Sequence, residues 1–352
     1  MLKGLTKSLL AATFLMGSAA AVAAQDFTIR ATANSNEADE DYDGLVVFKN
    51  YVENASNGRI AVEIYMGTQL CATGEECLQA VAEGAVDVYI STSGGAASIF
   101  PYIQVLDLPY LMSDDRVAEA VLSGPFLRQM RDRALETSGD KIRLMTIGNT
   151  GGWRSFANTQ RQVQTPADLA GLKLRTVPAD LPQELTRSLG ASPTPIPWPE
   201  LFTSLQTGVV EGTANGITDI MNMKFPDAGL QYLTLDGHSY MGAFWWMSND
   251  NFMALPMDLR KIVNDGFYQL QQATFASPKR KSIEAYEAFT AGGGNIYVPS
   301  PEQKAEFAAA AAPVFEWFKA NVDGGADVLA EFEAAVDVAK AQIAADDAAD
   351  LN

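Results

Sequence analysis

The feature that most constrains this chain is an alternation of strand-like and helix-like stretches that runs through once and then starts again. Phe27–Ala33 reads as a strand, residues 44–56 as an amphipathic helix, and residues 59–65 as an alternating, half-buried strand. Residues 75–83 are helical and stop at Gly84, a residue suited to follow a helix C-terminus. Residues 86–90 then form a short, largely apolar strand. Such a rhythm predicts a mostly parallel sheet covered by helices. It restarts at residues 142–147, so a second α/β unit is expected near Gly148, with the Gly, Asn and Thr of residues 148–152 as crossover or hinge. Thr165-Pro166-Ala167-Asp168 is a compact helix start that Gly171 ends, and residues 172–177 form the next strand. Beyond Pro256 the pattern is helical: a long amphipathic stretch over residues 258–289, then an alanine-rich helix opened by the capping box Ser300-Pro301-Glu302-Gln303. The acidic tail to Asn352 continues as helices. A chain of 352 residues is long enough for two such units, each with its own core.

The first residues read as a targeting segment rather than as part of the fold. Lys3 and Lys7 supply a basic start, residues 9–22 form a short apolar run, and Ala21, Ala23 and Ala24 offer a small-residue cleavage site. A membrane anchor needs about 20 apolar residues, and this run is shorter and carries Gly17 and Ser18. Residues 1–24 are therefore expected to be a cleaved signal peptide, leaving a soluble, extracytoplasmic chain. The sequence has 25 Lys and Arg against 43 Asp and Glu, a formal charge of −18. Such a surface repels nucleic acid and anionic lipid. It does not exclude an anionic ligand, because buried arginines can outweigh a distant acidic surface that salt screens within about 8–10 Å. Cys71 and Cys77 are the only cysteines. In an oxidising compartment they suit a disulfide around residues 72–76, with two unpaired thiols as the alternative.

Enzyme chemistry finds little support. His238 is the sole histidine, and there is no G-x-S-x-G elbow, no H-E-x-x-H, no P-loop and no G-x-G-x-x-G after a strand. A carboxylate pair can always be drawn from 43 acids, but no motif selects one. No cofactor and no metal site is expected. The informative stretch is Leu172-Lys173-Leu174-Arg175-Thr176-Val177, which puts Leu172, Leu174 and Thr176 on one face and Lys173, Arg175 and Val177 on the other. Arg175 falls near the carboxyl end of a strand, where open α/β sheets bind ligands. A guanidinium there can hold a carboxylate or sulfonate by two parallel hydrogen bonds. Spacing alone fits a surface ion pair equally well.

Four segments decide between these. Gly152-Trp153-Arg154, then residues 170–176 (AGLKLRT), then residues 190–195 (GASPTP), and finally residues 205–212 (LQTGVVEG) occur in the order and spacing of a known family. The chain resembles the solute-binding proteins of tripartite ATP-independent periplasmic (TRAP) transporters of the DctP type over essentially all of the mature sequence. The resemblance implies two α/β domains of periplasmic-binding-protein type with a hinge and a ligand cleft between them, and long helices toward the C-terminus. The first domain would comprise residues 25–148 plus roughly 241–280, the second residues 149–240 plus roughly 281–352. It also implies that Arg175 clamps a carboxylate, that Arg154 assists, that Asn215 bonds the same anionic end and that Trp198 lines the pocket. The family commonly has Glu-Asn-Pro where this chain has Ala214-Asn215-Gly216, which leaves Asn215 less firmly placed.

Further candidates come from the residues themselves. Trp198 precedes Pro199, which suits the first turn of a helix, so its indole would sit at a helix mouth. Phe244 and Trp246 share one strand face and Trp245 takes the other, with Tyr240 nearby. Phe244 and Tyr240 are candidate pocket aromatics that would suit a zwitterionic ligand such as an ectoine. The loops after the first unit's strands offer Glu37, Ser91 and Ser93, residue types equally common in solvated turns. The expected function is capture, without chemistry, of a small organic acid in the periplasm and its delivery to an ion-gradient-driven permease with two membrane subunits. The rival readings are a receptor for an ABC importer or a sensor, and a secreted carboxylate-dependent hydrolase or lyase.

Overall fold

In the computed structural model, which describes residues 25–350, one nine-stranded sheet runs through the molecule. The expected leader, residues 1–24, lies outside the described residues. One flank of the sheet consists of β1 (Phe27–Ala33), β2 (Ile60–Met66) and β3 (Val88–Thr92). The other consists of β5 (Lys173–Thr176), β6 (Ser192–Pro195) and β7 (Gly212–Asn215). Between them lie two 17-residue strands, β4 (Ile142–Asn158) and β8 (Tyr232–Ser248). The spatial order is β2-β1-β3-β8-β4-β7-β5-β6, and the short β9 (Asn295–Tyr297) pairs with β8.

The flanks follow the strand–helix rhythm. β1 pairs in parallel with β2 and β3, and β5 does so with β6 and β7. The centre departs from the mostly parallel sheet expected: β8 is antiparallel to both β3 and β4, and β4 is antiparallel to β7. Residues 148–152 are accordingly no crossover. β4 continues through them, and only its register against β8 shifts, between Asn149 and Trp153. Gly151 (φ +75°) and Gly152 (φ +86°) occupy left-handed conformations that a side chain would strain. Extra residues absorbed at such a bulge twist a strand without ending it.

Helix α1 (Glu40–Ala55) starts four residues before the helical pattern does, because Asp39 caps it by accepting a hydrogen bond from the Asp41 N–H. Helix α2 (Gly74–Ala82) carries Cys77, which a disulfide ties to Cys71 just ahead of the helix, with the Cα atoms 5.2 Å apart. The Thr165 box is formed but opens only a 3-10 turn, Pro166–Leu169. The Ser300 box opens the helix Pro301–Ala311 as expected.

Both faces of the sheet are covered. Phe244 and Trp246 pack in one core with Phe100, Phe126 and Phe332. Trp245 packs in the opposite core with Phe48 and Phe267. On that second side lies a 35-residue helix, Met257–Ala291, which packs along α1 and across β4. Glycine on each helix permits this approach. A Cβ on Gly266 would lie 2.7 Å from Val52 Cγ2, and one on Gly44 would lie 2.6 Å from Thr274 Cγ2. The last helix, Gly325–Asp350, returns to pack on Asp115–Ser123 and Pro125–Thr137. Among the described residues no helix is long and apolar enough to cross a membrane.

Two stability outcomes follow from this packing. Gly266→Val forces a branched side chain between the paired helices and should lower unfolding free energy by about 1–3 kcal/mol in urea denaturation. Replacing both cysteines by alanine releases a loop spanning a sequence separation of 6. It should cost about 2 kcal/mol on the chain-entropy estimate for so short a ring, read in the same assay.

Candidate functional site

A cavity of about 340 Å³ opens between the two flanks. The parallel strands of both flanks end at it. Asn34 and Ser35 follow β1, Ser91 and Thr92 close β3, Arg175 and Val177 lie at the end of β5, and Trp198 comes just after β6. This is the carboxyl-end crevice at which open α/β sheets hold ligands. The loop closed by the disulfide forms part of the wall through Ala72, Thr73, Gly74 and Glu75. Asn34 ties it in place, donating to the Cys71 carbonyl at 3.2 Å and accepting from the Tyr89 hydroxyl at 2.7 Å. The cysteine pair therefore shapes the cavity as well as stabilising the chain.

Arg175 sits at the base. It is 3% exposed; its Nε donates to the Ile196 carbonyl at 2.9 Å, while its Nη2 has no protein partner. The guanidinium lies 5.6 Å from the Trp198 ring centroid, and Trp198 is itself held edge-on against Phe225. Burial, and then the neighbouring Arg154, push the Arg175 pKa down to about 9. Arg154, on β4, also lines the cavity but is more fully engaged. Its Nη1 donates to the Ala214 carbonyl at 3.0 Å, and its Nε lies 3.8 Å from Asp107. Burial raises the pKa of Asp107, and Arg154 opposes that rise. Asn215 ends β7 at the cavity wall, but its amide is occupied: it accepts from Thr213 Oγ1 at 2.7 Å and donates to Asp219 at 3.0 Å.

The remaining candidates divide. Ser91 lines the cavity, its hydroxyl accepting from Trp246 Nε1 at 2.8 Å. Ser93 is buried beside Asp107, outside the lining. Glu37 is on an exposed turn and is not part of the lining. Phe244 and Tyr240 are not pocket aromatics. Phe244 is fully buried against Trp246, and Tyr240 packs edge-on to Trp153 at 5.2 Å. The physical reason is that helices cover both faces of β8, so each side of its aromatic run meets core. His238 bonds Asp236 at 2.7 Å and stacks on Phe156, at a recess behind the two arginines.

One group was not visible in the sequence. Asp39, Asp41 and Asp219 line the cavity, and Glu40 lies directly behind them. Burial, with Glu40 and Asp219 close by, pushes the Asp41 pKa up to about 8. Burial and Glu40 push that of Asp219 up to about 7, and Asp39 is raised well above the usual carboxylate range, first by burial and then by Asp41. The acidic run at residues 39–41 reads from sequence as an ordinary helix start. Only the arrival of Asp219 and the backbone of Gly151 makes it an enclosed cluster.

The whole architecture matches known proteins. The family profile described as DctP, bacterial extracellular solute-binding protein, family 7, matches residues 31–321. A solute-binding protein of Verminephrobacter eiseniae is 31% identical over 301 residues, covering 85% of this chain and 87% of its own. The 2,3-diketo-L-gulonate-binding periplasmic protein of Escherichia coli is 25% identical over 93% of this chain and 97% of its own. Among solved structures, the sugar acid binding protein of Advenella mimigardefordensis in complex with galactonate superposes with a TM-score of 0.83 at 24% identity, over 89% of this chain and 98% of its own. The chain belongs to the DctP family of bacterial extracellular solute-binding proteins.

Proposed function

We propose that this protein is the periplasmic solute-binding subunit of a TRAP transporter and captures a small organic acid, unaltered, for an ion-gradient-driven permease. The observation that carries the reading is Arg175: a buried guanidinium with a free Nη2 at the base of a cavity. A cation kept from water at this cost needs an anionic partner, and a carboxylate takes two of its N–H groups at once. Arg154 adds positive charge beside it but is already shared with Asp107 and the Ala214 carbonyl. Trp198 stacks over the clamp and fixes its plane. Asn215 acts through Asp219, which it orients, and Ser91 and Tyr89 offer a polar wall to hydroxyl groups. A volume of about 340 Å³ is at the small end of ligand pockets, in keeping with the sugar acids that the E. coli and Advenella relatives are named for.

The two flanks of the sheet, residues 25–148 with 241–280 and residues 149–240 with 281–352, are read as the two bodies that close on the ligand. The bulged stretches of β4 and β8 are the natural place for the bend. Closure stores binding free energy as a changed surface for the permease, to the extent that the ligand prefers the closed state. Secretion through the N-terminal leader and the absence of catalysis complete this reading.

The test is a thermal-shift screen of the mature protein against monocarboxylates, dicarboxylates, sugar acids and ectoines. A true ligand at about 100 times its Kd adds about 2.7 kcal/mol of stability. Arg175→Ala should abolish that gain while the ligand-free protein stays folded. A shift that survives the substitution would remove Arg175 from the clamp.

A further inference from the structure

Carboxyl groups are gathered at one wall of the cavity, where in their ionised form they oppose anion capture. Asp39, Glu40 and Asp219 each place one carboxylate oxygen so that all three lie within 4.8 Å of one another. They are 2%, 0% and 3% exposed. Three separate constraints hold them there. Asp39 caps α1, Glu40 is its first residue, and Asp219 is bonded by Asn215 and pressed against Gly151, where a Cβ would come 2.6 Å from its carboxylate.

Capping accounts for Asp39, which accepts from the Asp41 N–H at 3.0 Å. It does not account for Glu40. Both of its carboxylate oxygens are buried without a hydrogen-bond partner, and one of them faces the other two acids. Among the described residues no cation forms a direct ion pair with the three acids, although Arg154 and Arg175 act on Asp219 from a distance. Lys281 pairs with Asp43 at 2.7 Å, Arg154 lies against Asp107 and the Ala214 carbonyl, and Arg175 Nε is held by Ile196. Counting Asp41, four carboxyl groups are enclosed together beside the two guanidiniums.

We propose that Asp39, Glu40 and Asp219 bind a divalent cation of the calcium class at the edge of the ligand cavity. The donor set is all oxygen, with neither histidine nor cysteine, which selects a hard ion over zinc or copper. Calcium takes six to eight oxygens, more than three carboxylates need supply, so positions remain for water or for ligand oxygens. Asp39 and Asp219 line the cavity while Glu40 lies behind them, so the ion lies between the protein and the bound acid. There it offsets the repulsion of the acidic wall and offers a coordination position to the oxygens of an acid held by Arg175. Extracytoplasmic proteins meet calcium at concentrations that suit sites with Kd on the order of 10⁻⁴–10⁻³ M.

The test uses chelator-stripped mature protein and calcium chloride alone, with no organic acid, in isothermal titration calorimetry and thermal unfolding. The expected result is one saturable calcium per chain and a rise in Tm. Glu40→Gln and Asp219→Asn should each weaken binding about tenfold or more, whereas Asp258→Asn, on the exposed Arg59 pair, should bind as wild type. Arg175→Ala should keep the calcium response, so failure of the anion clamp and failure of the cation site give different results. Circular dichroism establishes that each variant is folded, and Asp219→Asn serves if Glu40→Gln is not. Absence of saturable binding at millimolar calcium would overturn the proposal, as would calcium binding unchanged in both variants. Magnesium and sodium chloride run in parallel: a response to sodium equal to that to calcium would also overturn it, because it would show screening rather than coordination.

Discussion

Removing a guanidinium from water is unfavourable by several kcal/mol unless hydrogen bonds or opposite charges compensate, and this fold does so for Arg175 at its floor. β5 places the residue at its carboxyl end, the Ile196 carbonyl takes Nε, and Trp198 covers one side of the plane. Those contacts fix where the remaining N–H groups point without satisfying them. The cavity is the consequence: its base is a charge that the protein has positioned and left incomplete. Arg154 shows the opposite balance, since Asp107 and the Ala214 carbonyl already occupy it. The two arginines are neighbours in space but differ in what they can offer a ligand.

The proposed clamp lies on one flank, and the central strands determine how the two flanks connect. β4 and β8 each run the length of both flanks, so one sheet joins what the strand–helix rhythm suggests are two units. Their pairing is interrupted between Asn149 and Trp153, where Gly151 and Gly152 hold left-handed conformations. A continuous hydrogen-bonded ladder resists shear but can bend at such a bulge, where ladder bonds are already missing. Gly94 serves the same junction from the first flank. A Cβ there would collide with the side chain of Val177, just past Arg175, so only glycine lets the loop after β3 approach the end of β5.

What the sequence reveals here depends on whether the signal is local. β1, β2, α2 and β3 lie within two residues of where periodicity puts them, because each is a short element with one buried face and a clear turn at its end. Both capping boxes form, and the Ser300 box opens a helix of 11 residues. β4 is longer than its apolar start suggests: residues 148–152 carry the composition of a turn, and the strand goes on because Gly148 and Asn149 before the bulge and Trp153 and Arg154 after it pair with β8. Phe244 and Tyr240 look like pocket aromatics for a related reason. Alternation tells which residues share a face, not whether a helix covers that face, and here helices cover both. A clamping role for Arg175 is suggested in the sequence only by the order of the family's motifs; its spacing would equally fit a surface pair, and the structure places the residue, buried, at the cavity base.

The acidic cluster shows most directly where local reading ends. Asp39, Glu40 and Asp41 look like acids placed to favour the N-terminus of a helix, and α1 does begin there. Their burial depends on Asp219, which is 178 or more positions away and is brought in by β7 and the helix Ile217–Asn222 that follows it. Gly151 and Gly216 make that approach possible, because a side chain on Gly216 would overlap the Gly151 carbonyl. A net charge of −18 therefore says little about the site. Charge at the surface is screened within about 8–10 Å, whereas carboxylates enclosed within 4.8 Å of one another interact far more strongly than the same groups in water. The electrostatics that a ligand meets are set by which few charges the sheet topology encloses together, and that information is not contained in any single stretch of the chain.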